Sequence, residues 1–180
     1  MGVITHNSAN EAQFLNGASP GHPPTLSSML SKKAKYAIHA LLYLAERRGQ
    51  GPVLIKDIAE SERLPRKFLE AILVDLKAGG LLRSRSGRSG GYELIRSPLE
   101  VNLGQVIRLM DGPLAPIPCV SQMAYAPCDD CKDERTCLIR LTMKEVRDVT
   151  ARILENTTLD GLLKQKEHFR TEDALLDFTI

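Results

Sequence analysis

LPRKFLEAILVDLKAGGLLRSRSGRSGGYELI, residues 64–95, decides the fold. Pro65 is placed as the first residue of a helix, where its missing N–H costs no hydrogen bond. Behind it Phe68, Leu69, Ile72, Leu73 and Leu76 fall on one helical face, and Gly79 and Gly80 stop the helix. Two short strand-like runs follow, LLRSRS at 81–86 and YELI at 92–95, joined by GRSGG, whose glycines suit a hairpin tip.

Upstream, Ser31 stands as an N-cap before Ala34, Ile38, Leu41, Leu42 and Ala45, the stripe of an amphipathic helix that stops at Gly49. GPVLIKDIAES then predicts a short helix from about Ile55 to Ser61. Helix, short helix, turn, helix and hairpin is the order of a winged helix-turn-helix, so the fold class is mainly α with a small β-hairpin wing. Leu103, Val106, Ile107 and Met110 mark one more helix before DGPLAPIP breaks the pattern. Residues 1–28 lack apolar periodicity and carry Gly, Pro, Asn and Ser throughout, which predicts a disordered N-terminal extension. Organised sequence begins directly after Met29, which makes Met29 a candidate start beside Met1.

Charge separates the chain into two halves although the net charge is only +2. Residues 63–96 carry eight basic side chains against three acidic ones, a local excess of +5, whereas residues 97–180 carry ten against fourteen, a deficit of −4. The first half is built for a polyanion. No run approaches the roughly 18 apolar residues of a membrane span, and the N-terminus lacks the basic-then-apolar order of a signal peptide, so a cytoplasmic protein is expected. A chain of 180 residues buries a core without covalent staples.

All four cysteines lie in CVSQMAYAPCDDCKDERTC, residues 119–137. In a reducing compartment such a cluster favours metal, cluster or redox chemistry over structural bridges. The spacing, C-x8-C-x2-C-x5-C, holds a single C-x2-C knuckle where structural zinc sites usually pair two. Iron–sulfur clusters tolerate uneven spacing, and a thiol switch needs only two of the four. Spacing alone leaves cluster, zinc and redox thiols open.

After the cysteines, Ile139, Met143, Val146, Thr150 and Ile153 repeat at intervals of 4, 3, 4 and 3, which suits either a helix covering its own core or a seam between two chains. A shorter helix is expected after Thr158, with Leu159, Leu162 and Leu163, and a loose tail from about Lys164. The expected organisation is thus an extension over 1–28, a winged helix-turn-helix domain over 29–111, a cysteine loop over 112–137, a dimerisation helix with a short following helix over 138–163, and a flexible tail over 164–180.

In a helix-turn-helix the second helix lies in the major groove and its N-terminal side chains reach base edges. Those residues are Arg66, Lys67 and Glu70, able to meet guanine, phosphate or guanine, and cytosine respectively. On the hairpin, Arg83, Arg85 and Arg88 sit among small Ser and Gly residues that let the backbone approach phosphates or a minor groove. A solvated surface would explain one such arginine; charge, turn chemistry and element order together point to duplex DNA. There is no Gly-rich phosphate loop, nucleophile elbow or metal-hydrolase motif, so an enzyme is not expected.

The sequence resembles the Rrf-type bacterial transcription regulators, the group that includes IscR, NsrR, RirA and CymR. MLSKKAKYAIHALLYLA at 29–45, the stretch quoted first with its GG-Y ending, and the thiol segment before a long helix carry the resemblance, over residues 29 to about 163. It implies a homodimer of winged helix-turn-helix domains held by the helix that begins near Cys137, binding a palindromic operator. It also implies a 2Fe-2S or 4Fe-4S cluster on Cys119, Cys131 and Cys137. Two positions depart from the pattern. Arg140 stands where IscR-like proteins place a histidine ligand, and Lys35 where NsrR-like proteins place an aspartate. Cys128, inside extra loop residues, is therefore expected as the fourth ligand. His39 is expected to be an ordinary helix-face residue, and His168 carries no assigned role. The resemblance implies a repressor that senses iron, cluster status, or redox or nitric oxide stress. Two alternatives stand beside it: a cluster-free, CymR-like regulator controlled by thiol oxidation or a partner protein, and an iron–sulfur electron-transfer protein.

Overall fold

A computed structural model describes residues 30–87 and 90–177, with side chains through residue 171. The expected extension over 1–28 and wing residue Arg88 lie outside the described residues. Six helices and one hairpin follow in the order α1 (Lys32–Glu46), α2 (Ile55–Ser61), α3 (Arg66–Ala78), β1 (Leu82–Arg85), β2 (Gly91–Leu94), α4 (Leu103–Asp111), α5 (Leu138–Asn156) and α6 (Leu159–Asp177), with a 3₁₀ turn at Pro118–Val120.

Helix α1 forms the axis of the core. Ser31 caps it, its hydroxyl accepting the Ala34 N–H at 3.0 Å. The expected stripe is only part of what it buries: Ala37, Ala40, Tyr43 and Leu44 are buried too, while Ile38 and Leu42 are only partly covered. The reason is that α2, α3, α4, α6 and β2 all pack on α1, so more than one face is enclosed. Its alanines let those neighbours approach closely.

Pro65 is the N-cap of α3 rather than its first residue, with an extended ψ of 117° and a carbonyl that accepts the N–H groups of Phe68 and Leu69 at 3.0 Å. Leu69, Ile72, Leu73 and Leu76 are fully buried, as the period requires. Phe68 departs from that face. It is 41% exposed and meets Tyr36 edge-on, with centroids 5.7 Å apart.

The wing is an antiparallel pair in the register Leu82↔Leu94, Arg83↔Glu93, Ser84↔Tyr92, Arg85↔Gly91. Val53, from the connection between α1 and α2, adds a bridge to Tyr92, exchanging N–H···O bonds of 2.9 and 2.8 Å. There the backbones pass so closely that a Cβ on Gly91, at φ 148°, would lie 2.3 Å from the Val53 carbonyl oxygen.

Asn102 starts α4 with a reciprocal capping box to Gln105. At the other end of α4, the Asp111 carboxylate accepts the backbone N–H and the hydroxyl of Ser31, joining the end of α4 to the start of α1. Helix α6 then runs to Asp177, where a loose tail was expected from Lys164. Residues 162–177 contain neither Gly nor Pro and draw half their positions from Leu, Lys and Glu, which favour helix. Three further contacts hold it: Leu159 is fully buried and its N–H bonds Val101 at 3.0 Å, Lys164 pairs with Asp160 at 2.9 Å, and Lys166 pairs with Glu46 of α1. No helix of the described residues is long and apolar enough to cross a membrane.

Candidate nucleic-acid interface and cysteine loop

Arg66, Lys67 and Glu70 all stand exposed on the first turns of α3. Arg66 reaches Glu70 at 3.3 Å, an exposed i,i+4 pair that a stronger ligand displaces at little cost. On the wing, Arg83 and Arg85 lie two residues apart on one face of β1, and both reach the same oxygen of Glu93, at 2.9 and 3.2 Å. The contact is ionic rather than a pair of aligned hydrogen bonds, since that Oε1 is shut off from solvent and meets no donor in good geometry. The close approach of the Arg83 guanidinium, and after it the charges of Arg83 and Arg85, hold the Glu93 carboxyl below the ordinary carboxylate range against the opposing effect of burial.

The four thiols share one loop but not one environment. Cys119 is buried in the 3₁₀ turn, Cys128 is exposed, Cys131 and Cys137 are half-buried, and all four are free. Cys131 and Cys137 meet thiol to thiol, and the Cys131 N–H bonds the Cys128 carbonyl at 3.3 Å. Cys137 occupies the N-cap of α5 without closing a cap hydrogen bond. The peptide N–H of Arg140, and after it the contact with Cys131, the Ile139 N–H and the Arg140 charge, lower its pKa below the ordinary thiol range against the opposing effect of burial. Burial and then the Cys137 contact push the Cys131 thiol up.

A polar chain braces this loop. Tyr125 donates to Glu134 at 2.7 Å, which pushes the phenol up, and the other Glu134 oxygen faces Arg140 at 3.5 Å. Arg147 of α5 donates to the carbonyl of Val120, one residue beyond Cys119, and pairs with Asp148. Among the described residues no three His, Cys, Asp or Glu side chains converge on the position of a single metal ion. An iron–sulfur core asks for something else, because its own sulfides span the gaps between thiolates. Four free thiols along one loop, at least two of them in contact, offer that donor chemistry.

Beyond the loop, α5 buries none of its residues. Its Arg147 and Glu155 engage the chain's own body, Glu155 through Arg108 of α4, while Leu138, Ile139, Leu141, Val146, Val149 and Ile153 are exposed. Of the expected repeat, Ile139, Val146 and Ile153 are exposed and Met143 and Thr150 half-covered, and Leu138, Leu141 and Val149 add to the exposed apolar residues. His39 pairs with Glu62 at 3.1 Å, as an ordinary helix-face residue. Glu93, Tyr125, Glu134 and Arg147 were missed as site residues. Glu93 had a legible signal, since counting back from the GRSGG tip sets it opposite Arg83; Arg147 had none.

Helix α3, with basic residues exposed on its first turns, beside a basic two-stranded wing is the arrangement of a winged helix-turn-helix domain. The model of the Rrf2 family, described as an iron-dependent transcriptional regulator, matches residues 30–165. This chain belongs to the Rrf2 family. It is 44% identical over 138 residues to an HTH-type, rrf2-like regulator of Rhodobacter capsulatus, covering 75% of this chain and 92% of that one. Among solved structures it is similar to CymR, the global cysteine regulator of Bacillus subtilis, with a TM-score of 0.63, 29% identity and coverage of 76% and 96%. It is also similar to IscR of T. potens, with a TM-score of 0.61, 28% identity and coverage of 77% and 88%.

Proposed function

We propose that the chain is a cytoplasmic, homodimeric repressor that binds a palindromic operator, with its affinity set by an iron–sulfur cluster on Cys119, Cys131, Cys137 and Cys128. Arg66, Lys67 and Glu70 meet base edges and adjacent phosphates, and Arg83, Arg85 and Arg88 meet the backbone or a minor groove. The observation that carries the regulatory part is the thiol loop's position at the start of α5, the helix whose outward face is apolar. A bound cluster would supply sensitivity to iron supply, cluster status, oxidants and nitric oxide.

The chain's own residues would pass that state on. Arg147 ties the Cys119 turn to α5, Cys137 begins α5, and α5 packs on α4. Asp111 joins α4 to α1, against which α3 packs. A change in how the loop sits on α5 would therefore alter the separation of two reader helices in a dimer, to which a palindromic site is sensitive.

The test is the absorption spectrum of anaerobically purified protein, with iron and acid-labile sulfide counted per chain. A visible band with matched iron and sulfide supports the cluster, and Cys128→Ser is expected to shorten its lifetime. An unchanged lifetime removes Cys128 from the ligand set. A second reading, a cluster-free regulator governed by thiol oxidation or a partner protein, is favoured by the Cys131–Cys137 contact and the likeness to CymR. Colourless protein that resists reconstitution would select it.

A further inference from the structure

We propose that Glu93 is a positioning residue that restrains the wing: its carboxylate holds Arg83 and Arg85 back from DNA phosphates and so limits sequence-independent affinity. The inference rests on the reading that these arginines face DNA. Glu93 stands directly across the hairpin from Arg83 and diagonally from Arg85, and one oxygen receives both, at 2.9 and 3.2 Å. The arginine side chains are 57% and 61% exposed and Glu93 only 19%, so the carboxylate lies beneath two guanidiniums that reach over it towards solvent.

A carboxylate and a phosphate compete for a guanidinium through the same planar donor geometry. Releasing both arginines would strip Glu93 Oε1 of both its ion pairs, so release is opposed by the attraction that is lost. The three side chains together also present one positive charge to the duplex instead of two. This opposition does not depend on base sequence. It acts on the phosphate contacts alone, the part of binding that follows salt concentration. The anchoring of Tyr92 by Val53 keeps the adjacent strand in place, so the competition is between anions rather than between hairpin conformations.

The experiment measures binding of the full chain, purified anaerobically, to a random-sequence duplex across a salt series. Glu93→Gln is expected to tighten binding roughly three- to tenfold at low salt and to steepen the log–log salt dependence by about one. In an Arg83→Ala, Arg85→Ala background the gain should vanish. Glu167→Gln, which changes net charge equally on α6, should leave affinity within about twofold of the parent at the same salt. Glu93→Asp, one methylene short of both guanidiniums, should show a smaller gain and keeps the test open if the glutamine variant does not fold. If the double arginine variant binds as the parent does, the DNA reading of the wing fails and the restraint with it. If the arginines matter but Glu93→Gln binds no better, binds worse, persists in its gain without the arginines, or is matched by Glu167→Gln, the restraint alone is overturned.

Discussion

Two guanidiniums beside Glu93 make the stability of the folded chain depend on pH at one identifiable residue. Its carboxyl is held below the ordinary range when folded and returns to about 4.3 when unfolded. The stabilisation is therefore fully present above that unfolded value and is lost as pH falls through it towards the lowered native one. Melting temperatures of the parent and Glu93→Gln should keep a constant difference above about pH 5, and the parent should lose ground to the variant towards about pH 3. A difference independent of pH would show that the ion pair contributes nothing. At this scale the arginines were legible as a basic run and the cysteines as a cluster, because residue type alone carries that information. The partner of each was not: Arg147 finds the Val120 carbonyl 27 positions away, a meeting that no local pattern encodes.

Elements were legible where period and punctuation agree. Helix α2 spans Ile55–Ser61 as expected, and Gly79 caps α3 where the double glycine predicted a stop. Helix α6 was misjudged because its charged surface resembles a solvated tail, while the buried Leu159 and the contact with Glu46 hold it to the domain. The wing shows how an element acquires a demand from its neighbour. Its glycines predict a flexible tip, yet Gly91 is required by the passage of Val53, with a positive φ and no room for a methyl group. Gly91→Ala should destabilise the domain by about 1–3 kcal/mol in denaturant melts, and it should weaken duplex binding by displacing β2 from Val53. Stability within about 0.5 kcal/mol of the parent would mean that the backbones separate freely there.

At the edge of the core built on α1 lies α5, a helix with ion-paired residues turned to its own domain and an apolar row left exposed. Burying one such side chain contributes roughly 1.5–3 kcal/mol, so the six exposed on each chain represent a large driving force for a second copy to cover them. Ile153→Glu should leave the fold of the single chain intact, since that side chain is 58% exposed, while light scattering reports a monomer and duplex affinity drops at least about tenfold. A dimer that survives the substitution would place the interface elsewhere. The sequence by itself determined the order of elements, the basic reader helix and wing, and the confinement of every thiol to one loop, because these follow from local periodicity, turn chemistry and residue type. Only the tertiary structure decided which face of α5 turns outward, that Val53 extends the wing, that both wing arginines converge on Glu93, and that Arg147 ties the Cys119 turn to α5. Those depend on packing between segments distant in sequence, where the position of one element selects which side chains of another can meet.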